Sequence, residues 1–169
     1  MRGTLDASMR YMRHVLGFIL LTGCVHSSSA SLDLQSMLSL RVVEAPQTVV
    51  AGGTIEVTFA VRNESQRQLS LCSPSGVTMQ LRSTSPDYVW PIIIHGMTTD
   101  TDCSGPFTLT PGEEKIFIER GVVRRDLPTN VAQLIGEISL SCRDTAAQRN
   151  CQDASLHAEQ TVRVSHGGV

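Results

Sequence analysis

Cysteine is the residue with the most chemistry to offer in this chain, and its spacing decides what kind. Beyond Cys24 the chain holds Cys72, Cys103, Cys142 and Cys151, an even set that suits two disulfides in an oxidising compartment. Three pairings are open. The eight residues between Cys142 and Cys151 fit a hairpin tip, which favours that pair and leaves Cys72 with Cys103. A zinc site of four thiolates lacks any C-x-x-C pair. His95-Gly96-Met97 offers imidazole and thioether, a donor set for Cu(I), but the nearest upstream methionine is Met79, the upstream histidine is His26 in the tether, and their spacing fails. Asp100-Thr101-Asp102-Cys103-Ser104-Gly105 has the alternating oxygens and turn glycine of a calcium loop, yet its twelfth position is Pro111. No Gly-x-Ser-x-Gly or Cys–His setting occurs, and His157 and His166 fall in a strand and in the tail. The expectation is no catalytic residue, no metal, no cofactor and no enzyme.

Cys24 has a different setting. Leu21-Thr22-Gly23-Cys24 closes an apolar run over residues 15–21 that follows Arg10, Arg13 and His14. Seven apolar residues are far fewer than the roughly 20 that span a bilayer, but they suit an export signal with a charged start. Small Gly23 leaves room for a peptidase, and a thiol can be alkylated. The segment resembles a bacterial lipoprotein signal with its lipobox. That resemblance implies that Cys24 becomes the lipidated first residue, palmitate among its chains. Val25 in place of Asp after it implies the outer membrane.

Composition narrows the partners. Removing residues 1–23 takes Arg2, Arg10, Arg13 and Asp6 from 14 basic and 16 acidic residues, leaving 11 and 15 and a formal charge of −4. Such a surface does not suit nucleic acid or docking on anionic lipid, and a lipid anchor makes the latter unnecessary. Residues 24–36 hold the lipidated cysteine and a Ser-rich tether, 37–165 one domain, and 166–169 a tail.

The domain reads as strands. Residues 38–42 and 55–61 alternate apolar and polar, as half-buried strands do. Leu69 and Leu71, then Val77, Met79 and Leu81, continue the period on either side of a break at Pro74-Ser75-Gly76. Residues 88–94 form an apolar strand interrupted by Pro91, which makes it an edge or a bulged strand. Phe107 and Leu109, Ile116 and Ile118, and residues 134–140 and 158–164 supply the rest. A helix fits only near residues 126–133. About seven to nine short strands separated by Gly, Pro, Asn and Ser predict an all-β, antiparallel β-sandwich.

Val61-Arg62-Asn63, Leu69-Ser70-Leu71 and Leu109-Thr110-Pro111-Gly112-Glu113 resemble many bacterial immunoglobulin-like domains over residues 38–165. Val89-Trp90 ahead of the Pro-Gly-Glu turn is similar to the bacterial intracellular proteinase inhibitor family. The first resemblance implies recognition by inter-strand loops. The loop over residues 143–150, with Arg143, Asp144, Gln148 and Arg149, is the candidate binding loop, preorganised if a bridge closes its base. Tyr88 and Trp90 could anchor a partner, though core packing is their simpler use. The expected function is a lipid-anchored cell-envelope protein that binds another envelope protein or serves as a structural accessory. A loop-borne proteinase inhibitor and a metal-binding envelope protein are the alternatives.

Overall fold

The computed structural model describes residues 32–73, 76–83, 89–94, 106–127, 130–143 and 151–166. Its elements are β1 (Leu32–Asp33), α1 (Leu34–Met37), β2 (Leu38–Glu44), β3 (Thr48–Val50), β4 (Thr54–Asn63), β5 (Leu69–Cys72) and β6 (Val77–Ser83). There follow β7 (Val89–Pro91), β8 (Ile93–Ile94), β9 (Phe107–Leu109), β10 (Glu114–Val122), β11 (Val131–Cys142), β12 (Cys151–Gln152) and β13 (Ala154–Ser165). One sheet has the order β2-β4-β10-β8; the other runs β3-β13-β11, with β6 and β5 both against β11, β7 outside β6 and β9 outside β5. The chain switches sheets between β2 and β3. β2 pairs antiparallel with β4, and beyond Ala45-Pro46 the chain pairs as β3 in parallel with β13. This is an all-β, immunoglobulin-like sandwich.

The pleat explains the layers. On β4, Ile55, Val57, Phe59 and Val61 are buried while Glu56 and Arg62 stand outside. On β13, Leu156, Ala158, Val162 and Val164 point into the same core. Phe59 crosses the gap to lie on Gly136 of β11. A glycine inside a strand is placed where another group must approach the backbone closely.

The expected break at Pro74-Ser75-Gly76 falls between β5 and β6, while other expectations are corrected. Cys72 lies opposite Ser141 and Val77 opposite Ile138, so β5 and β6 run in one direction along β11 with extra residues between them. Gly76, at φ 65°, supplies a left-handed step that a side chain would resist. Glu119 Oε1 accepts from the Val77 backbone N–H at 3.1 Å, satisfying a donor beside the irregularity.

Residues 89–94 do not form one continuous strand. β7 pairs with β6, and β8 pairs with β10 in the opposite sheet, because the chain turns inward at buried Ile92 between them.

No helix forms in the described part of residues 126–133, since β11 begins at Val131. The helical turn is Leu34–Met37, capped by Asp33, whose side chain accepts from Gln35 N–H at 3.1 Å. Leu34 is 0% exposed, so it packs into the core although it falls in the segment expected to be tether.

Candidate binding face of the four-stranded sheet

β10 follows the turn at Thr110-Pro111-Gly112-Glu113. Pro111 presets φ, and Gly112 takes φ 77°, the left-handed step a tight turn needs. Glu113 Oε2 accepts from both Thr110 N–H and Thr110 Oγ1 at 2.8 Å, which holds its carboxyl below the usual carboxylate range. Asn63 locks this turn to the end of β4. Its Nδ2 donates to Arg67 O at 2.7 Å and Leu109 O at 3.1 Å, and its Oδ1 accepts from Ser65 N–H and Ser65 Oγ. Fully buried, Asn63 has its side-chain hydrogen-bonding capacity filled. Two of the three sequence stretches that resemble immunoglobulin-like domains thus meet at this residue.

The register fixes which residues of β10 face out. Phe117 lies opposite buried Phe59, so it points inward, and its ring meets Phe107 at 5.9 Å in an edge-to-face contact. Period-two geometry then turns Glu114, Ile116, Ile118 and Arg120 outward. Ile116 and Ile118 are 45% and 59% exposed. The alternation of Ile116 and Ile118 was legible in the sequence; its direction was not, because Phe117 between them is apolar too.

Charges rim the two isoleucines. Arg41 of β2 donates to Glu114 at 2.8 Å, Arg62 stands 3.7 Å from the same carboxylate, and Arg120 pairs with Glu56 at the other end. The Arg41 hydrogen bond holds the Glu114 carboxyl below the usual range. Val43, at the bulge in β2, adds a third exposed apolar side chain near Thr58 and Glu44. An apolar centre inside a charged border is the anatomy of a recognition surface. A cavity of about 380 Å³, lined by Glu44, Pro46, Val49, Ile55, Glu56 and others, opens beside the acidic ends of β2 and β4, where the chain switches sheets.

The other candidates are placed less closely together. Cys142 and Cys151 are bonded, with Cα atoms 6.1 Å apart, and close the base of the 143–150 loop. Arg143 is exposed and its backbone N–H reaches Ser70 O at 3.1 Å; Asp144, Gln148 and Arg149 lie outside the described residues. Cys72 is disulfide-bonded, while Cys103 lies outside the described residues. So do Cys24, Tyr88, His95 and residues 95–105, which carry the copper and calcium patterns. Trp90 lies opposite Leu81 and packs against the core. Among the described residues no group of three or more His, Cys, Asp or Glu side chains could hold a metal ion.

No protein family matches the chain, and no curated protein sequence does. Similar solved structures include Spo0M, a sporulation control protein of Bacillus subtilis, at 11% identity and a TM-score of 0.46, covering 76% of this chain and 49% of that one. AvmM, described as catalysing macrocyclization in alchivemycin A biosynthesis, is 8% identical with a TM-score of 0.42, covering 79% and 91%. The CARDB domain of PF1109 from Pyrococcus furiosus, in complex with di-metal ions, is 14% identical with a TM-score of 0.38, covering 76% and 87%. This chain spans about half the length of Spo0M. None of the three says what this chain binds.

Proposed function

We propose that this chain is a lipid-anchored protein of the bacterial cell envelope whose immunoglobulin-like domain is a non-catalytic binding module. The observation that carries the binding role is the outward pair Ile116 and Ile118, exposed at the centre of a charged sheet face. Burying two isoleucines against a partner contributes a few kcal/mol of hydrophobic stabilisation, at roughly 25 cal/mol per Å² of apolar surface. The surrounding ion pairs select the partner and its register.

Leu32 of β1 bridges in parallel to Cys151 of β12, so the domain is tied down at the base of the stapled loop. With lipid on Cys24, residues 25–31 reach at most about 25 Å when extended. The domain then stays close to the outer membrane that Val25 implies. The sheet face lies along the side of the sandwich rather than at this tethered end, which leaves it accessible.

Two variants of the full chain test the reading in bacterial cells. Cys24→Ser should move the protein from the membrane fraction to the soluble fraction. Ile116→Ser with Ile118→Ser should leave it on the membrane and remove its crosslinks to other protein. An unchanged distribution for the first sinks the anchor. Unchanged crosslinks for the second sink the binding face.

A further inference from the structure

The outward face carries opposite charges at the two ends of β2, β4 and β10. On β10 the order is Glu114, Ile116, Ile118, Arg120; on β4, read alongside it, Arg62, Ala60, Thr58, Glu56; on β2, Arg41 then Glu44. The register sets these in rows. Glu114 is opposite Arg62, Ile116 and Arg41 flank Ala60, Ile118 and Glu44 flank Thr58, and Arg120 is opposite Glu56.

Consider a two-fold axis lying in the face, perpendicular to the strands, between the Ile116 and Ile118 rows. It reverses the rows and keeps the columns. Glu114 then meets Arg120 of the second copy, Arg62 meets Glu56, Arg41 meets Glu44, and Ile116 packs on Ile118. Each of these charges faces its opposite. The contact is isologous and closes after two copies. Shape follows charge. The acidic ends of β2 and β4 border the cavity lined by Glu44 and Glu56, and their basic ends project Arg41 and Arg62, whose side chains are 52% and 47% exposed.

The geometry points to a second copy of this chain as the occupant of this face, paired face to face about that axis. This rests on the reading of the face as a binding surface and adds the partner. A partner of different sequence needs no such self-complementarity. Three strands by four rows is a small area, so the dimer is weak and concentration-dependent. Confinement to a membrane surface raises the effective concentration that fills it.

Sedimentation velocity of the full chain over a concentration series tests the inference. The wild type is expected to pass from monomer to dimer. Glu56→Arg with Arg120→Glu keeps an ion pair within each copy but sets like charges across the axis. Arg62→Glu with Glu114→Arg does so from the other end. Each double variant should associate more than about tenfold more weakly than wild type. An equimolar mixture of the two should dimerise again, because each reversed end now meets a reversed end. Wild type that stays monomeric overturns the inference, as does dimerisation that both variants retain. If a monomeric wild type still crosslinks through Ile118 to a different protein, the second copy is excluded and the binding face stands; without such crosslinks both fall.

Discussion

Phe59 of β4 lies directly on Gly136 of β11, so closely that a Cβ at Gly136 would sit 2.2 Å from Phe59 Cε1. The two sheets make this contact at the middle of the sandwich, where neither backbone can retreat without breaking its ladder. Gly136→Ala therefore overpacks the core and should cost about 1–3 kcal/mol in urea unfolding. Adding Phe59→Leu should recover part of that loss, because the two sites share one volume. Additive costs would show that the contact is not the cause.

Asn63 is the second point where stability concentrates. Asn63→Ala orphans the N–H of Ser65 and strips a donor from the carbonyls of Leu109 and Arg67, the latter keeping Ser65 Oγ at 3.2 Å. The expected cost is roughly 3 kcal/mol. Amide exchange should rise at both connected turns, over residues 64–68 and 110–113. Faster exchange at only one of them would contradict the linkage.

Glu119 should give the fold an unusual dependence on pH. Partial burial raises its carboxyl above the usual range, and the Val77 N–H opposes that without cancelling it. A folded pKa above the unfolded one means the folded state holds the proton more tightly. Ionisation therefore destabilises the fold above the folded pKa, and that penalty vanishes as pH falls to the unfolded value. Glu119→Gln keeps an oxygen for Val77 and removes the charge. The variant should be more stable than wild type at pH 7, with the difference shrinking in acid. Glu113, Glu114 and Asp126, all held below the usual range, pull the other way in both proteins and cancel in the comparison. A difference that does not change with pH would remove Glu119 from this role.

The Cys142–Cys151 bridge spans nine positions and closes a short loop. Its removal by paired Ala substitutions should cost about 2–3 kcal/mol. Because Leu32 pairs with Cys151, the same change should expose the β1 segment to protease. Peptide mapping of the unreduced chain should also return Cys72 joined to Cys103. Cys72 joined elsewhere would contradict that pairing.

How much of this was legible in the sequence follows from what each strand buries. β4 and β13 have one apolar face, so their alternation reads directly. β10 has apolar residues on both faces, and only pairing with β4 shows that Phe117 goes in and the isoleucines out. Pro74 and Gly76 read as a break, but local chemistry cannot show that the strands on either side run in one direction along β11. Ile92 sits within an apolar run, so its crossing between sheets leaves no local signal. The charge pattern of the candidate face is spread over three strands from Arg41 to Arg120, and becomes one surface only through their register.

The most direct test places a photoactivatable crosslinking amino acid at Ile118 of the full chain in living bacteria, with Ser155 on the outside of the opposite sheet as the control. Both positions are exposed. The expected result is a discrete protein adduct from Ile118, to a second copy or to another protein, and none from Ser155. No adduct at Ile118, or the same adducts from both positions, would contradict a binding role for this face.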